Sequence, residues 1–126
     1  MRWIVGILLI GHGLIHVLGP LEIWGLADIE ALTGDPSIDI GWAAAEAIAL
    51  AWLGAFVILV VAGVAMMARR PWWRVLAIVG VLVSQATIFV WWDDAATGTI
   101  VNLLIVAAVV LARPLGLSYR AADASG

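Results

Sequence analysis

Cysteine is absent from the 126 residues, which excludes disulfides, thiolate metal sites, thiol redox chemistry and S-acylation. Lysine is absent too, so every basic side chain is an arginine. Charge of either sign is scarce, at 12% of residues against 65% hydrophobic, and the mean hydropathy is +1.14. A water-soluble fold of this length needs polar residues to cover its surface, and here the few charges sit in short stretches between long apolar runs. Such runs require lipid. The net charge of -3 carries little meaning, because in a membrane protein the placement of arginine matters more than the total. No nucleic-acid partner is expected. Met1-Arg2-Trp3 before an apolar run has the outline of a signal peptide, but no small-x-small cleavage site follows. Gly19-Pro20 leads into Glu22 and Trp24, which reads as the end of a retained helix.

A spanning helix needs about 20 apolar residues to cross roughly 30 Å of hydrocarbon. Segments 3–19, 42–68 and 75–92 meet this, and the shorter 99–112 qualifies because Arg113 can snorkel and the chain stays apolar to Leu117. The sequence thus predicts an all-α membrane domain over residues 1–117, an up-down bundle of four transmembrane helices, followed by a flexible tail over 118–126. With four alternating spans, Arg2, Arg69, Arg70, Arg74, Arg113 and Arg120 fall on one side, the cytoplasmic one by the positive-inside rule. Both termini are then expected in the cytoplasm, across the cell membrane from Glu22, Asp28, Glu30, Asp35, Asp39, Asp93 and Asp94. Trp24, Trp42, Trp91 and Trp92 form an outer aromatic belt, and Trp3, Trp72 and Trp73 an inner one. The first outer loop, 20–41, has apolar spacing over 21–32 that predicts a short helix lying along the surface.

Within lipid, small residues and buried polar groups hold helices together. Ala43, Ala47, Ala51 and Ala55 recur every fourth residue beside Gly54, and Gly6, Gly11 and Gly13 thin the first span, so these stripes are read as helix-packing faces, within the bundle or between subunits. His12, His16, Glu46, Gln85 and Asn102 are the polar residues at membrane depth, where such groups face a bundle interior or a water-filled cavity. At ~1.5 Å of rise per residue, His12 falls near the midplane and the rest in the outer half. His12 and His16 share one helix face, so one outward-facing pocket can take the whole set, with Trp24, Asp93 and Asp94 at its mouth. Two histidines at i and i+4 with Glu46 make a possible zinc or ferrous-iron ligand set, though without the specificity of a metalloprotease motif. Bis-histidine haem is disfavoured, because both imidazoles lie on the same side of one helix. The plainer reading is a histidine hydrogen-bonded across the bundle; ligand or quinone contact stands between the two. Glu46 can equally snorkel to water, Asp93 and Asp94 can be loop residues, and Ser84 and Thr87 can bond their own helix carbonyls.

The stretch Gly6-Ile7-Leu8-Leu9-Ile10-Gly11-His12-Gly13-Leu14-Ile15-His16-Val17-Leu18-Gly19 resembles the first helix of DoxX-like membrane proteins, which carry a His-Gly pair in an apolar helix. Gly98-Thr99-Ile100-Val101-Asn102-Leu103-Leu104 resembles the fourth helix of related bacterial proteins. The resemblance covers about a quarter of the chain and implies a compact four-helix bundle, in a family named for a small membrane subunit of a thiosulfate:quinone oxidoreductase. It transfers only His12, Gly13 and Asn102, with no assigned role; His16 departs from the common pattern, where many relatives have a basic residue.

Three functions remain open at this point. The first is a membrane subunit or anchor of a larger complex, respiratory or redox, docking other subunits or further copies of itself without chemistry of its own. The second is a quinone-, lipid- or metal-binding redox protein whose pocket is lined by His12, His16 and Glu46. The third is a small oligomeric transporter or channel, for which no broken helix or repeat is visible.

Overall fold

A computed structural model of the chain describes residues 1–112. The predicted tail over 118–126, and Arg113 and Arg120, lie outside the described residues. The six helices among the described residues are α1 (Arg2–Ile15), α2 (Leu18–Ile23), α3 (Trp42–Met67), α4 (Trp73–Val90), α5 (Trp92–Ala95) and α6 (Gly98–Leu111). Three stretches are long and apolar enough to cross a membrane: Arg2–Ile23, which joins α1 to α2, Trp42–Met67 and Trp73–Val90. α6 is apolar but only 14 residues long, about 21 Å at the helical rise, short of a hydrocarbon core.

The break between α1 and α2 follows from Pro20. Proline has no N–H to donate to the carbonyl of His16 four residues back, and its ring crowds that carbonyl. The α1 ladder therefore ends at His16, whose own N–H turns to Gly13 O at 3.0 Å, and Pro20 falls in the first turn of α2, where no N–H is needed. The predicted surface helix over 21–32 is replaced by this α2. It stops at Ile23 because Gly25 adopts φ +64° and closes the end, Leu26 N donating to Leu21 O and Gly25 N to Glu22 O. The same closure ends α3 with Arg69 at φ 58°, giving the tight turn that leads into α4.

α1 packs on α3, α3 on α4, α4 on α6, and α6 back on α1, while α2 lies against α3. Glycine sets the closest approach: a Cβ on Gly63 would stand 2.7 Å from Gly6 O, so the α1 and α3 backbones meet directly. The alanines that pack inward on α3 are Ala45, Ala49, Ala55, Ala62 and Ala65, whereas Ala43 and Ala47 are exposed. The four-residue stripe predicted from Ala43 thus faces outward over its first turns. α3 is apolar on every side, so spacing alone could not fix its rotation. Two apolar clusters result. One joins Val5 and Leu9 to Leu59, Ala62, Trp73, Val81, Ile105 and Val109; the other joins Ile23, Ala45, Ala49, Trp52 and Trp91. Trp91, expected in the outer belt, is 1% exposed and donates its indole N–H to Gly34 O at 3.2 Å. Along the helices the buried polar residues fall between the two clusters.

Candidate functional site: a polar network behind a cavity

His12 and His16 are each 4% exposed, on the face of α1 turned toward α4 and α6. A polar side chain at this depth needs partners, because an unpaired buried group costs about 1–3 kcal/mol. His12 Nε2 lies 2.9 Å from Asn102 Oδ1, and His16 Nε2 lies 2.8 Å from Ser84 Oγ. Asn102 Nδ2 donates to Ser84 Oγ and to Gln85 Oε1, each at 3.0 Å, and Gln85 Nε2 donates to Thr99 Oγ1 at 3.1 Å. One chain of hydrogen bonds thus ties α1, α4 and α6 together. Thr87 stays outside it, donating to Ser84 O at 2.8 Å.

The proton positions follow from which atoms can donate. The amide oxygen of Asn102 only accepts, so His12 carries its proton on Nε2 and a lone pair on Nδ1. Ser84 Oγ accepts from Asn102 and has one proton to give, and His16 Nε2 at 2.8 Å is a closer acceptor than Asn102 Oδ1 at 3.1 Å. His16 then carries its proton on Nδ1. The two imidazoles, 4.8 Å apart between ring centroids and edge to face, are therefore assigned opposite tautomers.

Neither Nδ1 has a partner among the described residues, and neither is sealed from open space. His12 and His16 both line a cavity of about 190 Å³ between the end of α1 and the start of α6. Its other walls include Trp52, Ile88, Gly98 and Val101, with Leu32 and Asp94 on the loop side. Trp52 packs edge to face on both His16 and Trp91, at 5.7 Å in each case. Its indole N–H is buried without a partner among the described residues. Gly19 lies so close to this indole that a Cβ would stand 1.8 Å from Cε3, which makes α2 a plate pressed on the ring that forms the cavity wall.

Asp94 accepts from Thr33 N at 3.0 Å, from Thr33 Oγ1 at 3.1 Å and from Gly34 N at 3.1 Å, fastening the long loop over the cavity. Asp93 is exposed, with its N–H donating to Ser37 Oγ, and does not line the cavity. Trp24 donates to Glu46 O at 3.3 Å and is also away from it. Glu46, grouped with the histidines by the sequence reading, is exposed and accepts from Trp42 Nε1 at 3.1 Å; Ala45, Ala49 and Trp52 hold the inward face of α3 instead. The suggested ligand trio of His12, His16 and Glu46 therefore does not converge, and the described residues contain no group of three or more His, Asp or Glu placed to hold a metal ion. Gln85 and Asn102 stand behind the imidazoles and not in the cavity wall.

Ser84 and Trp52 are the site residues that sequence reasoning passed over. Ser84 lies next to Gln85 and at the depth of the histidines, which is the cue that depth matching across spans offers; for Trp52 nothing in the pattern marks the inward direction. Compared with protein-family models, with curated proteins and with solved structures, the chain matches none.

Proposed function

We propose that this chain is an integral membrane protein of four spans, both ends cytoplasmic, that holds a small lipid-soluble ligand by its head group beside His12 and His16. On this reading it is a DoxX-like bundle, a proposal that rests on the His12-Gly13 pair and the segment around Asn102. The observation that carries the reading is the asymmetry of the two imidazoles. Each is fastened through Nε2, leaves Nδ1 without a partner among the described residues, and belongs to a residue lining an apolar-walled space. A purely structural histidine pair gains nothing from leaving two ring nitrogens unpartnered. Quinones and lipids are the ligand classes whose heads combine polar atoms with an apolar body. The test is to purify the protein in mild detergent, extract it with organic solvent and identify what is carried over. A stoichiometric lipophile that is lost on Thr97→Trp, at the exposed rim, is the expected result; extracts no different from bulk lipid in both proteins would overturn the proposal.

A subunit role is favoured by one separate observation. Ala43 and Ala47 are exposed at the start of α3, and a Cβ on nearby Gly54 would meet nothing within 4 Å, leaving a thin outward strip on which another helix can pack. Co-purification of a partner chain, weakened by Ala47→Leu, tests this reading.

A further inference from the structure

The two neighbouring imidazoles that line the cavity leave one donor and one acceptor unpaired among the described residues, and that pattern discriminates among head groups. His12 Nδ1 offers a lone pair and His16 Nδ1 a proton, as assigned above from the partners of each Nε2. A ketone or ester oxygen only accepts, so it satisfies His16 and leaves His12 without a donor. A hydroxyl donates and accepts at once.

The cavity is also small and open on one side. At about 190 Å³ it falls below the ~300–1,000 Å³ of pockets that enclose a drug-sized ligand. It therefore seats a head group and leaves the remainder outside. Ile15 and Leu18 line the cavity while being 59% and 40% exposed, and Thr97 across from them is exposed as well. Residues that both line a cavity and face outward are its rim. This rim is apolar on the α1 side and lies between α1 and α6.

From these features we propose that the cavity binds a hydroxyl-headed membrane amphiphile, its O–H bridging His12 Nδ1 and His16 Nδ1 and its tail leaving between Ile15 and Thr97 into the bilayer. This rests on the reading of the cavity as a ligand site. The hydroxyl can come from a phenol or from an aliphatic alcohol, and the chemistry at the two nitrogens is the same for both.

The test uses the full chain in phosphatidylcholine nanodiscs and saturation binding of four labelled probes: 4-nonylphenol, 1-tetradecanol and the methyl ether of each. O-methylation keeps the acceptor and deletes the donor, so a bound hydroxyl probe should exceed its own ether by about tenfold, the worth of one hydrogen bond whose loss leaves a buried acceptor unpaired. Preference for the phenol or for the alcohol identifies the source. Ile15→Trp, at an exposed position that folding does not depend on, should abolish binding by filling the rim. His16→Phe should lower affinity for the hydroxyl probes and for their ethers alike, since both accept from its Nδ1, while leaving the preference for hydroxyl at His12 in place. If an ether binds within twofold of its parent hydroxyl, the head-group assignment is overturned and the ligand site survives. If none of the four probes binds, the ligand site and the assignment fall together.

Discussion

Replacing Asn102 by leucine keeps the volume of the side chain and removes the hub of the buried network. Three hydrogen bonds go: the acceptor for His12 Nε2 and the donors to Ser84 Oγ and Gln85 Oε1. Ser84 retains His16 as a partner, and Gln85 is half-buried with Thr99 beside it, so these two losses are softened. His12 has no such relief. Its N–H is left in an apolar enclosure, with Ser84 Oγ at 3.4 Å too distant to replace the 2.9 Å bond without movement. Interhelical hydrogen bonds in membranes average about 0.6 kcal/mol and a stranded buried donor costs about 1–3 kcal/mol, so a total loss of about 2 kcal/mol is expected. Unfolding in mixed micelles by titration with sodium dodecyl sulfate, followed by tryptophan fluorescence, measures it. The cycle with His12→Ala should return a coupling of about 1 kcal/mol, since the two residues share one bond. Asn102→Leu within about 0.5 kcal/mol of the parent, with zero coupling, would refute the reasoning, because then the network does not hold the helices.

Further outcomes follow from the same geometry. Gly19→Ala drives a methyl into the Trp52 ring and should destabilise the fold by about 3 kcal/mol or more, with partial recovery in the double variant Gly19→Ala, Trp52→Leu; the same titration reads both. Asp94→Ala removes the acceptor that fixes Thr33 and Gly34, so hydrogen exchange at these two amides should accelerate by about tenfold or more while amides of α3 are unchanged. Glu46→Gln should leave occupancy of the cavity unaltered, because its carboxylate lies outside the wall and faces Trp42; a drop in ligand retention would show that it reaches the site.

The apolar helices were the readable part of this chain. Predicted segments 42–68, 75–92 and 99–112 fall within two residues of α3, α4 and α6 at each end, since length and apolarity are one-dimensional properties, and of these α3 and α4 are long enough to cross a membrane. Pro20 marks the end of α1 in the sequence, but the close contact of Gly19 with Trp52, 33 residues further along the chain, has no counterpart in any local pattern. Counting along the helices groups His12, His16, Glu46, Gln85 and Asn102 in the middle and outer half; hydrogen bonds join four of them through Ser84, and Glu46 stands apart. Rotation about a helix axis was not readable. Glu46 and Trp52 lie on a helix whose apolar residues run all the way round, so no pattern marks its inward face, and the small-residue stripe, a packing face within the bundle or between subunits, lies outward over its first turns. Ser84 was assigned to its own helix carbonyls, where Thr87 does donate to it; a hydroxyl has two such options in any apolar helix, and only the position of His16 decides.

His12 and His16 are the only histidines in the chain, so nitrogen-15 labelling of histidine yields two imidazoles and no others. Their nitrogen spectra in nanodiscs, resolved by assigning one ring through His16→Phe, report directly where each proton sits. The hydrogen bonds to Asn102 and Ser84 require His12 with its proton on Nε2 and His16 with its proton on Nδ1. Two rings in the same tautomer, or two rings averaging like imidazoles in free water, would mean that Ser84 and Asn102 do not fasten them and that the cavity is not built as described.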